Sequence, residues 1–214
     1  MIFRTNRHDL QRSYSQYGED LIIRELFKGE TGTYLDIGAG HPKVGSNTFK
    51  FYSEGWRGIL VEPIQRLVGK AQVARPEDSV IRSLVGSRAS EEQLFYEFQT
   101  WQFSTCDENR VRELRQEGRE PVAMYYVPTM TVSDFGLQVA PEDPFFLTID
   151  VENRDFDVLK GIDWEQFRPR VICVEELQSP LQSKTQTREL LNSKGYELQS
   201  FAYRSAIYMH REFF

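Results

Sequence analysis

Short apolar runs alternate with stretches in which apolar residues recur every three or four positions. The runs are Thr33–Ile37, 58–62, 79–85, 145–150 and 170–175, each bounded by Gly, Pro or a charged residue. Between them, 46–54 carries Phe49 and Tyr52 on one helical face, and 64–74 reads as a helix stopped by Pro76. Asp155–Lys160 opens another helix, and 185–194 is a helix closed by Gly195. Tyr196–Ala202 and Ser205–His210 read as a final strand pair around Tyr203 and Arg204. Strands alternating with helices predict a mainly parallel sheet covered on both faces, a doubly wound α/β fold. The strands are apolar throughout, as strands buried on both faces must be. Residues 89–131 break the rhythm and are expected to form an insertion between the third and fourth strands. It holds two short strand candidates (93–98 and 123–127), an aromatic loop with Trp101 and Phe103, and a charged helix. It suits a lid, a substrate wall or plain scaffold.

The 214 residues allow one sizeable core, so 1–214 is expected to form a single domain. No run of about 18 apolar residues suggests a membrane span. The first twelve residues carry Arg4, Arg7, His8, Asp9 and Arg12 and lack the apolar stretch of a signal peptide, so a cytoplasmic address is expected. The net charge of −6 argues against a nucleic-acid partner, since phosphate contacts call for a basic excess. The basic residues from Arg110 to Arg119 interleave with Glu113 and Glu117 and read as a solvated helix face. Cys106 and Cys173 give neither a metal-ligand spacing nor a disulfide framework.

Three strand candidates end in Asp36, Glu62 and Asp150, and the fifth runs into Glu175 and Glu176. Right-handed crossovers bring these ends to one edge, where open α/β sheets bind ligands. Such a group of carboxylates is costly to assemble unless a ligand or cation answers it. After Asp36, Gly38 and Gly40 flank Ala39 and permit a tight turn with close backbone approach. A dinucleotide fingerprint needs a third glycine where Lys43 stands, and a helix at once; His41 and Pro42 follow instead. An Asp before the glycines suits a ligand with a cationic amino acid moiety, such as S-adenosylmethionine (SAM), or a plain strand-to-helix turn. Glu62, before Pro63, fits a ribose diol, a device shared by NAD and SAM sites, or a solvated strand end. Asp150 and Glu152, two residues apart, fit a base or metal pair, or an N-cap beside a surface glutamate. An Asn or Asp followed by Pro-Pro-Tyr, as in methylation of base amines, is absent, which favours an oxygen acceptor.

Taken in order, these blocks resemble the FkbM family of SAM-dependent methyltransferases. The likeness covers residues 14–175. It rests on Ser15-Gln16-Tyr17-Gly18-Glu19-Asp20, Tyr34-Leu35-Asp36-Ile37-Gly38-Ala39, Ser46-Asn47-Thr48 and Gly55-Trp56-Arg57-Gly58-Ile59 running into Glu62-Pro63. Phe103-Ser104-Thr105, Asp150-Val151-Glu152, Val158-Leu159-Lys160-Gly161 and Arg168-Pro169 complete it. Where the family has a glycine after Asp-Val-Glu, this chain has Asn153, which tolerates a left-handed backbone. The resemblance implies a class I methyltransferase sheet of seven strands with the last antiparallel, and O-methylation of a sugar, glycan or polyketide hydroxyl. It implies that Asp36, Gly38, Ala39 and Gly40 flank the methionine part of SAM and that Glu62 with Pro63 borders the ribose. Gln16, Gly18 and Glu19 would cover the cofactor from the N-terminal side, with Asn47 and Thr48 nearby.

Methyl transfer to a hydroxyl calls for a base or a Lewis acid, because a sugar hydroxyl is barely ionised at neutral pH. Asp150 and Glu152 are the first candidates and His41 an alternative base. Asp150 with Glu175 and Glu176 forms a candidate Mg²⁺ set of hard oxygen ligands. Trp101, Phe103, Tyr125 and Tyr126 suit either stacking on a sugar ring or core packing. The rival readings are an NAD-dependent oxidoreductase or epimerase, and a non-catalytic binding domain on a methyltransferase fold.

Overall fold

A computed structural model describes residues 12–176 and 185–214. In chain order the elements are α1 (Glu19–Leu26), β1 (Thr33–Ile37), α2 (Phe49–Ser53), β2 (Arg57–Val61), α3 (Gln65–Ala74) and β3 (Ser79–Ile81). Next come β4 (Leu84–Val85), β5 (Ser90–Glu97), α4 (Glu108–Gln116), β6 (Ala123–Met130) and β7 (Phe145–Ile149). The chain continues through α5 (Asp155–Lys160), β8 (Val171–Glu175), α6 (Gln186–Ser193), β9 (Tyr196–Ala202) and β10 (Ser205–His210).

Seven strands form one sheet in the order β3-β2-β1-β7-β8-β10-β9. The pairs from β3 to β8 are parallel, while β10 runs antiparallel between β8 and β9. Successive side chains in a strand point to opposite faces, and each strand therefore feeds two cores. Leu35, Ile37, Leu147, Ile149 and Ile172 meet Val158, Leu159 and Leu191 of α5 and α6 on one face. Tyr34, Leu60, Phe146, Val171 and Cys173 meet Ile23, Phe27, Phe51 and Ala71 on the other. Helices on both faces make the sheet doubly wound, and every residue of β7 is buried. Among the described residues no helix is long and apolar enough to cross a membrane.

Two features differ from the sequence reading. Helix α1 has no counterpart in it; Ile23 and Phe27, four apart, bury its apolar side, and Glu19 and Asp20 lie at its favourable positive end. The expected single strand over 79–85 is two strands. β3 pairs with β2, whereas β4 leaves the main sheet and pairs with β6 in a three-stranded sheet ordered β4-β6-β5. Apolar residues flank the bend, so the pattern reads as continuous, but Arg82 and Ser83 turn the chain. The Ser83 hydroxyl donates to the Leu84 and Pro128 carbonyls, and Arg82 Nε to the Pro63 carbonyl. The small sheet and α4 thus account for most of the expected insertion. On α4 the ion pair Arg110–Glu113, and just beyond its end the pair Arg115–Glu120, lie at the surface, as a solvated basic and acidic face requires.

Candidate active site

The carboxyl ends of β1, β2 and β7 meet in a cleft lined by Asp36, Gly38, Glu62, Trp101, Asp150 and Glu152, among others. Gly38 has φ +81, and a Cβ there would lie 1.9 Å from the Asp150 carbonyl oxygen. Only glycine lets the β1 and β7 loops close together at this point. Gly40 has φ +58, and its missing side chain is replaced by the Trp101 ring, 2.4 Å from where a Cβ would stand. Trp101 belongs to a short 3₁₀ turn, Trp101–Phe103, so the insertion folds back over the glycine turn.

Glu62 is 4% exposed, and its carboxylate accepts the Gly40 and Ile64 N–H groups, both at 2.8 Å. Burial pushes its carboxyl up to about 7, while the two backbone donors pull the other way. Asp36 lies in β1 and points to the α2–α3 face, where the Thr48 hydroxyl donates to it at 2.5 Å. Burial pushes Asp36 up to about 6, against the pull of Thr48 and Arg75. Arg75 is fully buried; it pairs with Asp78 at 2.7 Å and donates to Thr48 at 2.9 Å and to the Tyr34 hydroxyl at 2.6 Å. Thr48 therefore underpins Asp36 from beneath rather than lining the cleft. Asn47 does line it, donating to the Thr148 hydroxyl at 3.0 Å.

On the other side of the cleft, Asp150 opens a loop in which Glu152 and Asn153 have φ +50 and +74. Asn153 thus adopts the left-handed backbone that asparagine tolerates. The loop is tied by buried Asp155, which accepts the Val151 N–H at 3.1 Å. Burial and the neighbouring Glu175 push Asp150 well above the carboxylate range. The same causes raise Glu152 to about 7 and Asp155 to about 8.

The N-terminal block acts through Asp20, whose carboxylate accepts the hydroxyls of Ser13 and Ser15 and the Tyr14 N–H at 2.7–2.9 Å. This folds the segment so that Gln16 lines the cleft. Gly18 caps α1 at φ +86, and Glu19 binds the Tyr17 N–H and the Ser205 hydroxyl. Glu19 lines a small adjoining groove instead. Ala39 and Pro63 complete the cleft wall.

His41 does not reach the cleft. Its Nδ1 accepts the N–H groups of Lys43 and Val44, each at 3.2 Å, and it faces Arg66 and Lys70 across a surface hollow. The expected metal trio is not assembled. Asp150 and Glu175 share the adjoining groove, but Glu176 points to the opposite side of the strand end, where Tyr208 donates to it at 2.6 Å. Among the described residues no group of three His, Cys, Asp or Glu side chains is arranged to hold a metal ion. Of the four aromatics singled out, Trp101 faces the cleft. Phe103 and Tyr125 pack within the insertion, and Tyr126 is exposed. Arg75 and Asp155 escape the sequence reading because an arginine at a helix end and an aspartate in a first turn normally read as surface residues.

The strand order, with one antiparallel strand next to the edge, and the acidic ends of β1, β2 and β7 define a class I methyltransferase fold. A family model, the methyltransferase FkbM domain, matches residues 36–198, and the chain belongs to that family. The structure is similar to the FkbM methyltransferase of Methylobacillus flagellatus KT, with 12% identity, 84% of this chain and 44% of that one covered, and a TM-score of 0.49. It is also similar to a TehB-like SAM-dependent methyltransferase from Corynebacterium glutamicum (10% identity, 91% and 88% covered, TM-score 0.44). A third similar structure is magnesium protoporphyrin IX methyltransferase from Synechocystis PCC 6803 with bound SAM (14% identity, 90% and 77% covered, TM-score 0.39). The chain spans under half the length of the first of these. No curated protein matches the sequence.

Proposed function

We propose that this chain is a SAM-dependent O-methyltransferase acting on a hydroxyl of a small molecule, a saccharide first among the acceptor classes. The observation that carries the reading is the convergence on one cleft of Asp36 and Glu62 from β1 and β2 and of Asp150 from β7. The cofactor fits the residues present. Two buried carboxylates held above their ordinary pKa call for a cation and for hydroxyl donors, and Gly38 and Gly40 leave the backbone open to close approach. Asp36 would answer the amino group of the methionine moiety, Glu62 the ribose diol, and Gln16 would cover the site. When bound, SAM supplies an electrophilic methyl on a positively charged sulfur that leaves as a neutral thioether.

Asp150 would hold the acceptor hydroxyl at the cleft and take its proton as the oxygen is methylated. Holding the acceptor in line contributes up to about 7–11 kcal/mol through effective molarity. The raised pKa of Asp150 makes it a stronger base than a solvated carboxylate. In this reading the whole chain works as one domain, with the 89–131 insertion as the wall that closes the donor side. The metal trio does not fit, and no step runs through a metal; turnover is expected to survive dialysis against EDTA.

Calorimetry with S-adenosylhomocysteine (SAH) and with NAD separates the donor readings: SAH is expected to bind, and binding of NAD alone would sink the proposal. Asp150→Asn is expected to abolish SAH release with a panel of hydroxyl acceptors while leaving SAM affinity within about tenfold. Unchanged turnover in that variant would remove Asp150 from the chemistry.

A further inference from the structure

A basic hollow opens off the donor cleft, between the turn after β4 and helix α5. The two share Leu84, Val85, Cys106 and Arg154 as lining. The hollow encloses about 460 Å³, within the roughly 300–1,000 Å³ of small-ligand sites. Its walls meet at a bare glycine. A Cβ on Gly161 would stand 2.6 Å from the Ser87 Cα and 2.8 Å from the Gly86 carbonyl oxygen, so glycine alone lets the end of α5 seat against that turn.

The charge of the hollow is opposite to that of the cleft. Arg88, Arg154 and Lys160 line it, with Asp157 as the carboxylate among the described lining residues. Asp157 ties two of these cations together. Arg154 Nη2 pairs with it at 2.9 Å and Lys160 Nζ at 3.2 Å, and the Ser87 hydroxyl donates to it at 2.8 Å. Against the pull of burial, these donors hold its carboxyl below the usual carboxylate range. It stays ionised and cancels one of the two charges beside it. Arg88, next to Ser87, is exposed and pairs with no carboxylate among the described residues. A chain of net charge −6 thus gathers a positive excess at one place beside its acidic cleft. SAM does not answer that excess. Its sulfonium and amino group outweigh its carboxylate, so it suits Asp36 and Glu62 and is repelled by the hollow. Arg154 stands at the junction, where its Nη1 lies 3.7 Å from the Cys106 sulfur on the shared wall.

We propose that this hollow seats an anionic group, a phosphate or a carboxylate, carried by the methyl acceptor. Arg154 meets it at the junction, and Arg88 and Lys160 supply the remaining counter-charge. The inference rests on the methyltransferase reading and deepens it, because the hollow selects acceptors by charge, whatever scaffold bears the hydroxyl. Asp150 and Arg154 belong to one loop, and the reach of four residues keeps their Cα atoms within about 14 Å. One small molecule can therefore place a hydroxyl at the first and an anion at the second.

The test uses the full chain saturated with SAH and saturation-transfer NMR. The probes are glycerol 3-phosphate, glycerate and glycerol, which set a phosphate, a carboxylate and a neutral alcohol on the same carbon frame. At least one anion is expected to receive saturation and glycerol to receive none; which anion does so tells a phosphate site from a carboxylate site. Arg88→Gln and Arg154→Gln are each expected to weaken the anion about fivefold or more, the loss of one charge-assisted contact, while SAH affinity in Arg88→Gln stays within about twofold. Arg88 is exposed, so Arg88→Gln decides the matter if Arg154→Gln fails to fold. Lys70→Gln removes the same charge from the separate surface hollow beside His41 and is expected to leave anion binding unchanged. Saturation of neither anion, equal saturation of glycerol, or an anion that binds only in the absence of SAH overturns the proposal and leaves the donor reading standing. So does anion binding that survives Arg88→Gln or falls equally in Lys70→Gln. A native chain that binds no SAH refutes the donor reading and takes the acceptor role of the hollow with it.

Discussion

At the scale of single residues, the donor side of the cleft is governed by where charge can be held. Asp36 and Glu62 are buried, and their carboxyls are raised to about 6 and about 7. If the ionised Asp36 holds the amino group of the ligand, binding requires the deprotonated form, so affinity falls as pH falls through about 6. SAH affinity measured from pH 8 to pH 5 is expected to weaken first near 7 and more steeply below 6, approaching tenfold per unit per group by linkage. Asp36→Asn removes the lower step and leaves the one near 7. A pH-independent affinity would show that neither carboxylate touches the ligand. Beneath Asp36 stands Arg75, whose fork reaches Asp78, Thr48, Ser46 and Tyr34 in a geometry that a lysine ammonium matches poorly. Removing one partner of a buried ion pair costs about 3–5 kcal/mol. Arg75→Ala is accordingly expected to lower the melting temperature on the order of 10 °C, with little recovery in Arg75→Lys. A loss under 2 °C in the alanine variant would mean that Asp78 and Thr48 find other partners.

At the scale of elements, two glycines give opposite expectations for the same substitution. Gly38→Ala drives a Cβ into the Asp150 carbonyl and strains a left-handed residue, so β1 and β7 must part at their carboxyl ends. Loss of SAH binding and about 1–3 kcal/mol of stability is expected. Gly69 lies inside α3 with nothing within 4 Å of an added Cβ. Gly69→Ala is expected to raise stability by about 1 kcal/mol in chemical denaturation, the helix-propensity difference alone; a destabilised variant would contradict the open space. The same contrast shows what was readable in the sequence. The main-sheet strands announced themselves through continuous apolar runs, and Asp36, Glu62 and Asp150 through their position at the ends of those runs. The split of 79–85 was hidden because Leu84 and Val85 are as apolar as the residues before them, and only the partner strand β6 reveals that they belong elsewhere. His41 looked available because it follows the glycine turn, whereas backbone donors from Lys43 and Val44 turn it outward.

At the scale of the whole molecule, the acidic edge of the sheet leaves a mark on stability. Besides Asp36 and Glu62, burial raises Glu152 to about 7 and Asp155 to about 8, and Asp150 moves in the same direction. In the unfolded chain these groups ionise near 4. Between about 4 and 8 the folded state therefore holds more protons than the unfolded state, and stability falls as pH rises through that window. His41 and His210 act the other way. Burial lowers both, so the stability they supply is lost as pH falls through their reduced values. Above pH 6.5 the opposing effect of the histidines fades as their unfolded forms lose the proton, and burial of Cys106 and Cys173 adds to the carboxylates in the same direction. The ligand-free chain is expected to melt on the order of 5 °C lower at pH 8.5 than at pH 6.5. Asp155→Asn supplies the internal control. Asparagine resembles the protonated aspartic acid and can still accept the Val151 N–H through its amide oxygen. The variant should match the native chain at pH 6.5 and exceed it at pH 8.5, as followed by scanning calorimetry. Saturating SAH should narrow the native pH difference as well, because its cationic amino group offsets the charge that burial penalises. A melting temperature that stays level or rises between the two pH values would mean that the acidic ends are neutralised within the fold itself. The cleft would then have no electrostatic need for a cationic ligand.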